Sequence, residues 1–398
     1  MPRARAGGQY RSLLAIVRLS DEPLGRAVIE VELDGSVSRD RLDFELRRQV
    51  GEVPGTLSFE PRSDIEGSNS AQLRRTPVSV VVTTCCNPGR LARCLRSILS
   101  CSYADFEVIV VENRPGSGAT RRLLAERFAN DSRLRYIEEP DRGLSCARNA
   151  GLAVADGDLV AFTDDDVIVD EAWIRRSAQA FEHGEGIACV TGLILPLELE
   201  TDSQLLLEQF MTLGKGFSRE VFRLPDALER HPLLPYTPGV VGSGANTVLR
   251  ADAARQLGGF DPTLGTGTLA AGGEDLDLYI RLLREGHAVA YEPGAIVWHA
   301  HPSGMSKLRG QVYRYGVGLG AALAKQLLAG PERWQLMRAV PAGIGYLLDP
   351  AASKNAGKTT GYPRRLEWLE RLGMLVGPAG YLASALLRRY RGLSPERA

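Results

Sequence analysis

From residue 78 onward, short and almost uninterrupted apolar runs alternate with stretches whose apolar positions recur every three or four residues. The runs 78–84, 106–111, 134–137 and 159–162 predict strands, and the periodic stretches 89–99, 119–128 and 144–155 predict helices. Val- and Ile-rich strands separated by amphipathic helices predict a mostly parallel α/β sheet covered on both faces. Right-handed crossovers bring the loops after Thr84, Val111 and Phe162 to one edge, where ligands of open α/β sheets bind. Residues 1 to about 70 read as a small separate α+β unit, with strands over 13–17 and 27–33, a helix over 40–50, and an end in the polar stretch 66–75. Beyond His301 the pattern turns helical, with glycine-rich apolar patches at 315–324 and 339–348 and an uncharged run over 372–387.

The composition is that of a folded enzyme: 398 residues, 44% hydrophobic, 24% charged, formal net charge zero. The charge is unevenly placed. Residues 301–398 carry 15 Lys+Arg against 5 Asp+Glu, so a basic carboxyl-terminal segment follows an acidic body, which suits an anionic surface as partner. Nothing suggests nucleic acid. The six cysteines have neither zinc-type spacing nor the density of a secreted scaffold and read as reduced packing residues. No apolar run of signal-peptide length opens the chain, so a cytoplasmic location is expected.

The informative chemistry is at the end of the 159–162 run, where Asp164, Asp165 and Asp166 follow one another. Three adjacent carboxylates repel, and Asp is a poor strand former, so the cluster calls for a divalent cation. Mg²⁺ or Mn²⁺ fits best, since such ions take carboxylate oxygens together with the phosphates of a substrate. In an extended backbone Asp164 and Asp166 share a side while Asp165 points the other way, as a carboxylate that orients the loop. Glu112, at the end of the 106–111 run, is expected to converge on the same edge.

These strings resemble the motifs of the family 2 glycosyltransferases of the GT-A fold. The resemblance runs in order through Val78–Thr84 with Pro88-Gly89-Arg90-Leu91, residues 108–113, Gly143 to Gly151, Asp164 to Asp166 as a DxD motif, Gly242 to Asn246, Gly258 to Asp261, and Gly272-Gly273-Glu274-Asp275. It covers about residues 76–302. Seven short motifs in sequence are specific where one alone is not.

The resemblance implies an inverting transfer of a sugar from a nucleotide-diphosphate donor to an acceptor hydroxyl, assisted by Mg²⁺ or Mn²⁺. Asp166 would be the principal metal ligand, with Asp164 on the ribose and within reach of the metal. His299, preferred to His301, would complete the shell. Asp275 would be the base that takes the acceptor's proton, with Glu274 beside it; the competing reading for Asp275 is a helix cap. Thr84, Glu112, Arg148 and Asp165 would contact the nucleotide. Glu112 stands where most relatives have Asp, and Arg148 is set against a plain surface arginine on its helix.

The resulting organisation is an accessory domain (1–72), a GT-A catalytic domain (76–302) and a helical region (303–398). The stretch 195–238, rich in apolar and aromatic residues, either packs over the sheet or lines an acceptor pocket. Arginines flanking 372–387 suit an interfacial helical hairpin on an anionic leaflet, and 16 uncharged residues fall short of the roughly 20 that span a bilayer. Acceptors in view are a surface glycan, a lipid-linked molecule or a specialised metabolite. Two rivals are a non-catalytic nucleotide-sugar-binding scaffold and a nucleotidyltransferase; the second lacks a Gly-rich, Lys-containing phosphate loop here.

Overall fold

The structure is a computed structural model that describes residues 12–19, 21–31, 36–50, 76–85, 87–210, 215–352, 354–355, 357–358, 361–390 and 392. The chain divides into two units, 1–75 and 76–398. The expected end of the first unit at 66–75 lies outside the described residues.

In the first unit, β1 (Ser12–Leu19) and β2 (Glu22–Glu30) pair antiparallel, and α1 (Arg39–Val50) covers one face. Ala27 and Ile29 alternate inward along β2 and meet Leu46 of α1, the period-two and period-3.6 patterns joining in a small core. The Gln49 side chain donates to the Val28 carbonyl at 2.8 Å and accepts from its N–H at 2.9 Å, which ties α1 to the hairpin.

The second unit begins with β3 (Val78–Thr84), every residue of which is buried, and α2 (Pro88–Leu99), which starts on a proline at its first turn and buries Leu91, Leu95 and Ile98. There follow β4 (Phe106–Asn113), α3 (Ala119–Arg127), β5 (Leu134–Glu139), α4 (Leu144–Val154), β6 (Leu159–Asp164), β7 (Val167–Val169), α5 (Trp173–Ala180) and β8 (Ile187–Pro196). Then come α6 (Asp202–Phe210), β9 (Glu220–Phe222), β10 (Thr247–Arg250), α7 (Ala251–Gln256), α8 (Glu274–Arg284) and β11 (Ala288–His299). The chain continues in α9 (Met305–Ala329), α10 (Arg333–Leu348) and α11 (Arg364–Tyr390).

The strands form a nine-stranded sheet in the order β5-β4-β3-β6-β10-β8-β11-β7, with β9 on β11. It is parallel across β5-β4-β3-β6 and between β8 and β11, and antiparallel at β10, β7 and β9. This is the GT-A arrangement the sequence implied. Register places Thr84 beside Glu112 and Thr83 beside Asp164, so the carboxyl ends of β3, β4 and β6 do meet at one edge.

Several boundaries differ from the pattern-based expectation. β4 and β6 run on through Glu112 and Asp164, which are therefore strand residues. Strand β11 extends to His299 because an irregularity between Glu292 and Ile296 absorbs Pro293 and Gly294 without ending the pairing. The run 372–387 makes no hairpin: α11 is one helix, and its glycines serve packing. A methyl group at Gly316 or Gly320 of α9 would strike the carbonyl of Glu370 or Met374, and one at Gly373 or Gly377 would strike that of Tyr313 or Val317. Glycine at these positions lets the two helix backbones touch. Among the described residues no helix is long and apolar enough to cross a membrane. Cys94, Cys101, Cys146 and Cys189 are buried free thiols and Cys85 is exposed, while Cys86 lies outside the described residues.

Candidate active site

Strand β6 ends at Asp164, and a two-residue turn carries Asp165 and Asp166 into β7. Because β7 pairs with the end of β11, His299 lies against this turn. The Nε2 of His299 is 3.5 Å from Asp166 Oδ1, and one ligand atom from each of Asp164, Asp166 and His299 falls within 4.8 Å of the others. Two carboxylates and an imidazole at such spacing suit a divalent ion of the Mg²⁺–Mn²⁺ type. His301 turns away, its Nε2 3.4 Å from Glu208, so the geometry favours His299 of the two. Arg90 of α2, to which the sequence assigned no role, lies 3.1 Å from Asp166.

Asp165 faces the opposite way and accepts a hydrogen bond from the Thr84 hydroxyl at 2.6 Å. Burial raises its pKa to about 6, with the Asp166 and Asp164 charges adding to the effect. Thr84 and Asp165 thus stitch β3 to the metal-side turn. Burial also raises Asp164, with Arg148 opposing the shift.

Arg148 is no surface residue. Its side chain is 2% exposed, and the guanidinium donates from Nη2 to Asp164 at 3.3 Å and to the Gly244 carbonyl at 3.0 Å, and from Nη1 to Glu274 at 3.1 Å. It also stacks 5.3 Å from the centroid of Phe260. One planar fork on α4 therefore joins the end of β6 to the start of α8. Burial, then the Asp275 charge, raises the pKa of Glu274 against the opposing pull of Arg148.

Helix α8 starts at Glu274, with Gly273 at φ 84° as its N-cap residue. Only glycine takes that conformation without strain, and a side chain there would also meet the Gly318 carbonyl of α9. Asp275 is consequently the second helical residue and not the N-cap. Its Oδ2 accepts the Gly244 N–H at 2.7 Å and its Oδ1 the Leu276 N–H at 2.8 Å, which fixes the carboxylate beside the loop. Asp277, one turn face away, is wholly buried between Arg281, Lys325 and Gln326 and is structural.

Glu112 is the expected nucleotide contact that the structure keeps from the open edge. It is 0% exposed, accepting from the Thr120 hydroxyl at 2.9 Å and from the Tyr136 hydroxyl at 2.5 Å. Both partners come from neighbouring elements, α3 and β5, and no local signal in the sequence marks them.

A cavity of about 960 Å³ opens from this cluster. Arg148, Asp164, Glu274, Asp275 and His299 line one end, and residues of α9, α10 and α11 line the other. From 195–238, Leu233 and Tyr236 reach the cavity, Phe222 is core, and Phe210 does both, packing in a cluster with Leu308 and Tyr362; Met211 lies outside the described residues.

Residues 79–257 match the family model described as Glycosyl transferase family 2. A pre-mycofactocin glycosyltransferase of Mycobacterium tuberculosis is 30% identical over 339 residues, 79% of this chain and 65% of that protein. The chain thus spans about 65% of that curated relative's length. The succinoglycan biosynthesis protein ExoM of Rhizobium meliloti is 27% identical over 62% of this chain and 75% of its own. A mannosyltransferase of Pyrobaculum calidifontis, solved in complex with GDP-Man and Mn²⁺, aligns with TM-score 0.45 at 19% identity over 78% of this chain and 86% of that one.

Proposed function

We propose, for a chain that belongs to the family 2 glycosyltransferases through residues 79–257, a metal-dependent inverting transfer of a sugar from a nucleotide-diphosphate donor to an acceptor hydroxyl. The observation that carries this reading is the placement of two carboxylate groupings at one cavity. Asp164 and Asp166 with His299 stand at its edge, and Asp275 stands separately across Arg148.

In the proposed reaction the bond between the anomeric carbon and the phosphate oxygen breaks, its electron pair leaving with the diphosphate, while the acceptor oxygen bonds to that carbon from the opposite face. Asp275 takes the hydroxyl proton, worth about 10²–10⁴ in rate for a well-placed base. The backbone N–H groups of Gly244 and Leu276 hold its carboxylate in place. Asp164, Asp166 and His299 would hold Mg²⁺ or Mn²⁺, which supplies Lewis acidity to the departing diphosphate. Arg148 binds Asp164 and Glu274 together and keeps the two groupings at a fixed separation. Thr84, through Asp165, orients the metal-side turn, and Glu112 shapes the nucleotide pocket from beneath.

Residues 1–72 are read as an accessory domain, 76–302 as the catalytic domain and 303–398 as a helical region that completes the site, since Gly318 of α9 lies against Gly272 and Gly273. Peripheral docking on an anionic bilayer belongs to the same reading. Trp334, Trp368, Leu375 and Leu386 are more than half exposed on α10 and α11, among the arginines Arg364, Arg365 and Arg389.

The test is release of nucleoside diphosphate from a panel of nucleotide sugars offered with hydroxyl acceptors. Release that requires added Mn²⁺ or Mg²⁺ is expected. No release from a folded protein across the panel would count for the binding-scaffold reading, and release indifferent to metal would contradict the metal-dependent part of the proposal.

A further inference from the structure

The end of the cavity remote from the carboxylates has a chemistry of its own. On α9 the lining residues Gln311, Tyr315, Leu319 and Leu323 follow at intervals of four, so they form one stripe down a single helix face. The stripe is polar where it meets the acidic cluster, Gln311 donating to the Tyr315 hydroxyl at 2.6 Å, and becomes apolar farther on. At 1.5 Å per residue the apolar part, Leu319 and Leu323, lies about 6 to 12 Å along the axis from Tyr315. Facing it, α10 contributes Leu336, Val340 and Leu347.

Apart from Leu336, these apolar side chains are not fully spent on packing. Leu319 and Leu323 are half-buried, Val340 is 45% exposed, and Leu336 is the one buried residue that α10 contributes to the core. A well-packed core would close such a space, whereas ligand sites are concave, largely apolar and carry a few convergent polar groups at one end.

We infer that this cavity seats an acceptor with an apolar body attached to its reacting hydroxyl, the body lying between α9 and α10 and the hydroxyl at Asp275. The inference rests on the transferase reading above and extends it to the acceptor's class. Apolar area of this kind contributes about 25 cal/mol per Å² removed from water, so a chain of several methylenes gains substantially over a methyl group. The body is an aliphatic or aromatic group, borne either by a free small molecule or by a membrane lipid.

The probes are n-octyl β-glucoside, kept below its micelle concentration, and methyl β-glucoside, titrated calorimetrically into the full chain. Gly343 lines the cavity and has open space where a side chain would begin, so Gly343→Phe fills the seat without a backbone clash. The octyl compound is expected to bind about tenfold tighter than the methyl compound or better, and Gly343→Phe to remove that preference. Equal binding of the two overturns the inference, and so does an octyl preference that survives Gly343→Phe, because the alkyl chain would then sit elsewhere. The same headgroup on a diacylglycerol in phosphatidylcholine vesicles distinguishes the sources. Cosedimentation sensitive to Gly343→Phe assigns a lipid, and its absence alongside a Gly343-dependent octyl preference assigns a free amphiphile. Binding of nucleoside diphosphate with Mn²⁺, measured on the same protein, reports on the transferase reading separately.

Discussion

Arg148 and Asp164 form an ion pair at 3.3 Å with the arginine side chain only 2% exposed, and the other arm of the same guanidinium reaches Glu274. Breaking a buried pair leaves charge without compensation, which typically destabilises by about 3–5 kcal/mol. Arg148→Met is predicted to lower unfolding free energy by about 3 kcal/mol, read from the urea midpoint at unchanged slope. Arg148→Lys is expected to recover part of the stability but little metal affinity, because a point charge cannot bridge both carboxylates. A shift within experimental error for Arg148→Met would mean that the fork does not hold the two groupings together.

The pH dependence has a definite sign. Burial takes Asp165 up to about 6, so between the ordinary Asp value and about 6 the metal-free folded protein retains a proton that the unfolded chain has released. Its stability therefore falls as pH rises through that window. Metal binding runs the other way, since the carboxylates must be ionised to serve, and Asp164 is raised too. Apparent Mn²⁺ affinity is predicted to rise with pH as the raised Asp164 carboxyl ionises. Calorimetry in two buffers of unlike ionisation heat checks this through net proton release on the acidic side of neutrality that fades as pH rises. An uptake of protons would contradict it.

For Asp275 the expected outcome separates chemistry from architecture. Asp275→Asn keeps one acceptor for the Gly244 and Leu276 N–H groups but loses the base. Turnover should fall by about 10²–10⁴ with donor binding changed little. If donor affinity and thermal stability fall together with activity, the carboxylate acts mainly by holding the loop around Gly244.

Much of the sheet edge was readable from the sequence because each strand's apolar run and the polar residue that ends it are local patterns. A short β-branched run such as Val78–Thr84, alternating with amphipathic helices, reads as a buried parallel strand, and a carboxylate at its parallel neighbour's end then arrives at the same edge. What was not readable depended on partners distant in the chain. Arg148 reads from the sequence as a nucleotide contact set against a plain helix arginine, and neither reading contains Glu274 and Gly244, which close around it. Glu112 kept its expected position but not its expected exposure, since Tyr136 and Thr120 approach from β5 and α3. The glycines of 315–324 and 372–387 carry the same composition whether they break helices or let helices touch. Only the carbonyls of Glu370 and Met374 beside Gly316 and Gly320 decide between the two.

The outward faces of α10 and α11 give a membrane prediction. Each large apolar side chain contributes about 1.5–3 kcal/mol when fully removed from water. Cosedimentation with vesicles containing phosphatidylglycerol is expected, weakened by salt because the arginines contribute. Trp368→Glu with Leu375→Glu, both at exposed positions, should lower partitioning by at least about tenfold while leaving unfolding unchanged. Equal binding to purely zwitterionic vesicles at all salt concentrations would remove the electrostatic part of the account.

The most direct test of the central claim is calorimetric binding of nucleoside diphosphates with and without Mn²⁺ to the wild type and to Asp166→Ala. Binding that requires the metal and disappears in Asp166→Ala, with the variant as stable as the parent, is the predicted result. Binding that is indifferent to both Mn²⁺ and Asp166 would contradict a metal-bridged donor site at Asp164, Asp166 and His299.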